Sequence, residues 1–254
     1  MAEKGWATRM DLFHTLVALH IVTGSIGAIA FWVPIAGKKG GAKHKSWGKV
    51  FNTCLLITGV FAVGMSILTL LDPLGTHPHL VGMFDAEFIR GIFGWMMLHN
   101  AILTVNLVWY GWLCVWNRRN HAANRSALNL ALQWLLLAAA FACALDGWLI
   151  GQPLMVGIAL VGFATFGTNM YFILNPRPGQ MDWLKEHLKG LVGAGISVYT
   201  AFFAFGSVRV LPWLALHPAM WAVPLVIGVG LIIWHRRKID LGLRARRAAA
   251  AAVA

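Results

Sequence analysis

Residues 20–51 read HIVTGSIGAIAFWVPIAGKKGGAKHKSWGKVF, and this stretch decides the fold. An apolar run holding Gly24 and Gly27 ends at Pro34. A Gly-Lys loop with His44 and Trp47 follows, and a second apolar run then begins. Lysines gathered between two long apolar segments set the direction in which a chain sits in a bilayer, because basic loops stay on the cytoplasmic side. Everything after this loop inherits that direction.

Working outward, the 254 residues are 59% hydrophobic and only 12% charged. A soluble domain has about 45–50% apolar and ~25% charged residues. Lipid is the solvent this composition fits. A net charge of +12 would suit nucleic acid if the charges lined one exposed face. They fall between apolar runs instead, which excludes nucleic acid as a partner. The 13 Trp and 14 Phe suit aromatic belts at the two membrane interfaces. Cys54, Cys114 and Cys143 lie within apolar runs and form no CxxC pair, so they read as buried thiols rather than a disulfide framework or zinc ribbon. Glu3 and Asp11 accompany Lys4 and Arg9, and the first apolar run exceeds the ~7–15 residues of a signal-peptide core. The expectation is a retained first span.

Crossing a core of ~30 Å takes about 20 apolar residues. Seven runs qualify: Leu12–Ala36, Val50–Leu71, Gly91–Trp116, Ala127–Leu149, Leu154–Leu174, His187–Val208 and Pro218–Trp234. None alternates with the period of two that a barrel strand needs. The expected fold is all-α, a polytopic membrane protein with seven transmembrane helices. It forms one domain over residues 1–236, with a basic, Ala-rich tail over 237–254. The tail is either a short helix on anionic lipid or disordered.

Charge sets the direction. Lys38, Lys39, Lys43, Lys45 and Lys49 follow the first run, and Arg118, Arg119 and Arg125 follow the third. Arg177, Lys185 and Lys189 follow the fifth, and Arg236, Arg237, Lys238, Arg244, Arg246 and Arg247 end the chain. Only Lys4, Arg9, Arg90 and Arg209 fall on the other side. The positive-inside rule then predicts the N-terminus out and the C-terminus in, in a multi-pass protein of the bacterial inner membrane. That arrangement requires an odd number of spans.

No Lys, Arg, Asp or Glu is expected deep in a span, Asp146 coming nearest. Pumps and proton carriers place ionisable groups there, so those classes recede. The seventh run has no lysine for a retinal Schiff base. The loop Asp72–Arg90 holds His77, His79, Asp85 and Glu87, but it lacks a third ligand at metal spacing and reads as a solvated loop. There is no nucleophile elbow, no HExxH and no three-histidine set, which argues against a hydrolase and leaves enzyme status open.

Histidines and amides remain. His20, Gly24, Gly27 and Phe31 share one helix face, and small residues mark close helix approach, so His20 points at protein. Ile92, Trp95, Met96, His99, Leu103 and Asn106 share a face of the third run. His20 and His99 both lie roughly 14–17 Å from the outer end. Level, inward imidazoles on two helices suit the axial ligation of haem b. His20, His99 and Asn106 are therefore the candidate cofactor-binding residues, with haem b or quinone as the cofactor. Polar packing through Thr23, Asn100 or Asn106 is the alternative. Asn129 with Gln133, and Thr165 and Thr168 with Asn169, either line a pocket for a quinone or lipid headgroup or bond helices together. On the cytoplasmic side, Lys39, His44, Lys45 and His187 form a candidate headgroup or anion site, unless the lysines serve topology alone.

The run from Lys39 to Phe51, KGGAKHKSWGKVF, preceded by His20, resembles a family of bacterial and fungal membrane proteins catalogued as a domain of unknown function. Its members show a helix-opening histidine and a KG-x-x-H-[RK]-x-x-G loop. His187 followed by Thr200-Ala201-Phe202 is similar to that family's later histidine and TAF-like end. The resemblance covers the first two spans, their loop and the sixth span. It implies a multi-span bundle with His20, His44 and His187 at characteristic positions, and no established reaction. Three function classes follow: a membrane redox protein, a binder or transporter of a small amphiphile, and an accessory subunit of a larger complex. The expected partners are membrane lipids, other membrane proteins or a second copy of the chain.

Overall fold

The structure, a computed structural model, describes residues 2–206, 213 and 217–252, with side chains other than those of 2–9 and 247. Val208, Arg209 and the last two tail residues lie outside the described residues. Seven long helices form the molecule: α1 Ala2–Ala36, α2 Ala42–Leu71, α3 Ala86–Trp116, α4 Ala127–Leu149, α5 Pro153–Leu174, α6 Asp182–Gly206 and α7 Pro218–Ala251. All seven are long and apolar enough to cross a membrane. Among the described residues there is no strand, only an isolated bridge between Val81 and Phe84. A helix satisfies its own backbone, which is what an apolar solvent demands.

Helices start where the backbone is punctuated, not where apolarity begins. Gly40 at φ +74° turns the chain, and α2 starts at Ala42, eight residues before Val50. Asp85 accepts from the Phe88 N–H at 2.7 Å and starts α3 ahead of Gly91. α6 begins at Asp182, so Lys185 and Lys189 are helical residues rather than loop residues. α7 continues past Trp234 to Ala251 through Arg, Leu and Ala, all strong helix formers. Of the two tail readings, helix is the one observed that far. Two segments, Arg90–Met96 in α3 and Phe202–Gly206 in α6, have π-helical bonding.

Each helix runs antiparallel to the next. Gly24 lies against Thr58, Gly27 against Leu55, and Gly64 against Leu16, so α2 descends as α1 rises. Gly59 meets Val105 while Gly94 meets Leu70, seating α3 on α2. Gly91 meets Ile150 and Gly147 meets Met155, joining α3, α4 and α5. Gly228 meets Ile196 and seats α7 on α6. α3 is the hub: 61% of its most apolar window is buried, against 17% for α1 and for α7. The alternation brings 37–41, 117–126, 175–181 and the end of α7 to one end, hereafter the basic end.

α3 and α6 meet backbone to backbone at Gly111 and Gly190. A Cβ on Gly190 would stand 2.7 Å from Gly111 Cα and 2.8 Å from the Leu107 carbonyl oxygen. Backbone cannot step aside. We expect Gly190→Ala to cost about 1–3 kcal/mol of stability. Gly48, with nothing within 4 Å of its added Cβ, is the control, and Gly48→Ala should be neutral or slightly stabilising. Equal unfolding midpoints for the two variants in detergent would contradict the backbone contact.

At the opposite end, His77 is packed rather than solvated. Its ring centroid lies 4.4 Å from Phe93 and 5.4 Å from Phe13, and Nδ1 is 3.0 Å from Thr76 Oγ1. Burial, then the charge of His79, lowers its pKa from 6.5 to about 4, against a smaller opposing effect of the Pro73 backbone. The folded chain therefore resists a proton that the unfolded chain accepts. Stability is intact above pH 6.5 and falls as pH drops from 6.5 towards 4. His77→Phe should flatten that part of a stability-against-pH profile. An unchanged slope would show that His77 is not its source.

Candidate functional site

Amides line the contact of α3, α4 and α5. Asn106, Asn129, Gln133 and Asn169 have no exposed surface. Spacing explains the alignment. Asn129 and Gln133 stand one turn apart on α4. His99 and Asn106 on α3 match Gly162 and Asn169 on α5, both pairs seven residues apart, because these two helices run parallel. Asn169 Nδ2 donates to Asn106 Oδ1 and to Gln133 Oε1, both at 3.1 Å. Asn106 Nδ2 donates to the Leu132 carbonyl at 3.1 Å. Gln133 Nε2 reaches Asn129 Oδ1 at 3.4 Å, and Asn129 Nδ2 donates to the Asn124 carbonyl at 2.7 Å. Asn117 Nδ2 donates to Asn124 Oδ1 at 3.0 Å. The row thus runs from mid-bundle to the basic end. There it meets a cavity of about 140 Å³ between 117–124 and 178–183.

Two polar positions on the interior part of the row are left over. Asn169 Oδ1 is buried without a partner. His99, about 10 Å further from the basic end than Asn106, is fully buried and neither ring nitrogen has a hydrogen bond. The Ile158 carbonyl lies beside the ring outside ordinary hydrogen-bonding geometry. A Cβ on Gly162 would stand on the imidazole, 2.9 Å from Nε2.

His20 is elsewhere. Its Nδ1 is 3.1 Å from the Thr58 carbonyl on α2, and Thr58 Oγ1 bonds Thr23 Oγ1 at 2.7 Å. α2 stands between His20 and α3, while His99 faces Gly162 on α5. The expected axial pair is therefore not assembled. Helical spacing had identified the face of each imidazole, but not which neighbour fills that face.

The cytoplasmic-side candidates divide. Lys39 Nζ donates to the Pro34 carbonyl at 2.8 Å and to that of Ile35, and His44 Nδ1 is 3.3 Å from the same Pro34 oxygen. Both satisfy carbonyls that the end of α1 leaves unpaired. Partial burial, then the charge of Lys238, lowers the Lys39 pKa. His187 Nδ1 is 2.9 Å from the Gly111 carbonyl. Lys45 is exposed.

A carboxylate missed in the sequence lies nearby. Glu186, buried near the start of α6, accepts from Tyr110 Oη at 2.7 Å, is paired with Lys189, and lies 3.4 Å from Arg236 Nη2. Lys189 also reaches Thr168 Oγ1 at 3.2 Å. Lys185 pairs with Asp240 at 2.6 Å and Asp182 at 3.6 Å. These pairs tie α7 to α6 and α6 to α3. The signal was present: Asp182, Lys185, Glu186 and Lys189 recur at helical spacing.

No family model, curated protein or solved structure matches the chain.

Replacing Asn169 by Leu strands two acceptors, Asn106 Oδ1 and Gln133 Oε1. The expected loss is about 1–3 kcal/mol. Adding Asn106→Leu should cost less than the sum of the single changes, because the two share a bond. Strict additivity in a double-mutant cycle would contradict the network.

Proposed function

We propose a multi-pass protein of the bacterial inner membrane, N-terminus out and tail in the cytoplasm, that binds a small hydrophobic molecule carrying a hydrogen-bonding group between α3 and α5. Membrane lipids surround it as partners. Quinones are the ligand class that fits best. The orientation is supported by the basic loops that the antiparallel helices bring to one end.

One observation carries the ligand reading: His99 is buried with neither nitrogen bonded, beside amides that are nearly all satisfied. A neutral imidazole has one donor and one acceptor. Leaving either dry costs on the order of 2–7 kcal/mol. A quinone carbonyl accepts the imidazole N–H and places an apolar ring among apolar side chains. Gly162 lets α5 lie directly against the ring, where any side chain would stand on the imidazole. His20 is taken up by the Thr58 carbonyl of α2 and His99 lies against Gly162 of α5, which favours a ligand at His99 alone over a haem b held by both.

The loop resemblance supports the bundle and no reaction. Gly41, His44, Lys45 and Gly48 coincide with its motif, while Gly40 stands at the place of its lysine. Lys39, one residue earlier, reaches the end of α1 instead.

Native mass spectrometry of detergent-purified protein should find a copurifying quinone-sized molecule. An oxidised-minus-reduced ultraviolet spectrum should show it to be redox-active. His99→Leu should remove it, whereas His20→Leu should not. Wild-type protein free of ligand after quinone is added, together with a His99→Leu variant of raised stability, would overturn the reading.

A further inference from the structure

We infer that the cavity at the basic end of the amide row binds a phosphate oxyanion. Its volume of about 140 Å³ is room for several waters, each with a share of ~30 Å³, or one tetrahedral oxyanion. Asn117, Arg118, His121, Asn124, Gln180 and Trp183 are among its walls. The site is separate from His99, and its argument does not depend on a ligand there.

Hydrogen bonds determine which way the wall groups point. Asn124 Oδ1 accepts from Asn117, so Asn124 Nδ2 is the atom 3.3 Å from His121 Nδ1. A ring nitrogen that receives an N–H is unprotonated, so the proton of the neutral imidazole sits on Nε2. That Nε2 is buried and has no partner. It is a donor without an acceptor on a residue lining the cavity. The ring cannot turn away freely, because Phe172 packs edge-on against it at 4.7 Å.

Arg118 supplies the charge. Its guanidinium lies over the Trp183 ring, 5.9 Å from the centroid. That contact uses none of its N–H groups, and the guanidinium makes no hydrogen bond or ion pair among the described residues, so its N–H fork is open to an oxyanion. Arg125 is differently employed: it donates to the carbonyls of Ile173 at 3.1 Å and Leu174 at 3.2 Å. No carboxylate is among the lining residues. Asp182, on the adjoining turn, is held by the Gly179 N–H at 2.7 Å and by Lys185. The wall residues therefore include a cation, side-chain amides and a histidine whose buried Nε2–H lacks an acceptor, the kinds of group that charge-assisted binding of phosphate uses.

The phosphate has two sources, a soluble phosphate or a phospholipid headgroup. An open apolar groove of about 430 Å³ lies along neighbouring residues of α5, including Gly167, Met170, Tyr171 and Leu174, and would take an acyl chain.

The test uses the full chain. Inorganic phosphate is titrated calorimetrically into detergent-purified protein, and phosphatidic acid is titrated into protein in phosphatidylcholine nanodiscs. Arg118→Gln and His121→Phe are compared with Arg119→Gln, a neighbouring exposed charge outside the walls. Arg118 is exposed, so its variant should keep the wild-type unfolding midpoint. Binding in either arm, weakened about ten- to a hundredfold by each wall variant and unchanged by Arg119→Gln, is the expected result. Saturation by inorganic phosphate identifies the soluble source; binding of phosphatidic acid alone identifies the lipid. No binding in both arms, an equal loss with Arg119→Gln, or full binding by His121→Phe would overturn the proposal. None of these results depends on His99.

Discussion

Between its two ends this chain must pair every polar group within itself, and that constraint shapes everything else. Water is absent from a bilayer core, so the backbone closes into helices. Lipid gives those helices no hydrophobic reason to associate, so close backbone contact and shared hydrogen bonds do it. Both devices converge on α3. Gly111 meets Gly190 backbone to backbone on one side, and Asn106 joins Asn169 and Leu132 on the other. α3 consequently sets the positions of α2, α4, α5 and α6.

Exceptions to that pairing are informative because they are few. Amides from Asn117 to Asn169 pass bonds from one to the next, and two imidazoles with unbonded nitrogens lie at different points along them: His99, with neither nitrogen bonded, in the interior, and His121, with Nε2 unbonded, at the basic end. Glu186 shows the contrasting solution. Its buried carboxylate is surrounded by Tyr110, Lys189 and Arg236, and serves as a tie between α3, α6 and α7. A charge satisfied in that way offers little to a ligand. An unpaired imidazole offers a great deal.

Much of the architecture was legible in the sequence because hydropathy acts through a bulk property. Ala127–Leu149 was read to the residue. Asp182–Glu186 was not, since a polar first turn looks like a loop until its helical spacing is noticed. The faces of His20, His99 and Asn106 were legible from periodicity, but their partners were not. Spacing reports direction on one helix, whereas the axial pair required knowing that Thr58 fills the His20 side and Gly162 the His99 side. Asn129 and Gln133 were legible as a pair, and Asn169 as their partner only once α5 was placed. The cavity near Arg118 left no trace in the pattern, because it arises where two connecting segments, 117–124 and 178–183, come together.

The proposed arrangement, seven crossings with the basic end facing the cytoplasm, is tested most directly by site-directed labelling. Single cysteines would be placed at Lys43, Arg119 and Arg177 at the basic end, and at His79 and Met83 at the other, all exposed positions, after Cys54, Cys114 and Cys143 are replaced. A membrane-impermeant maleimide applied to intact spheroplasts should label positions 79 and 83 at once, and positions 43, 119 and 177 only after the membrane is opened. Labelling of any basic-end position in intact spheroplasts, or protection of position 83, would contradict it.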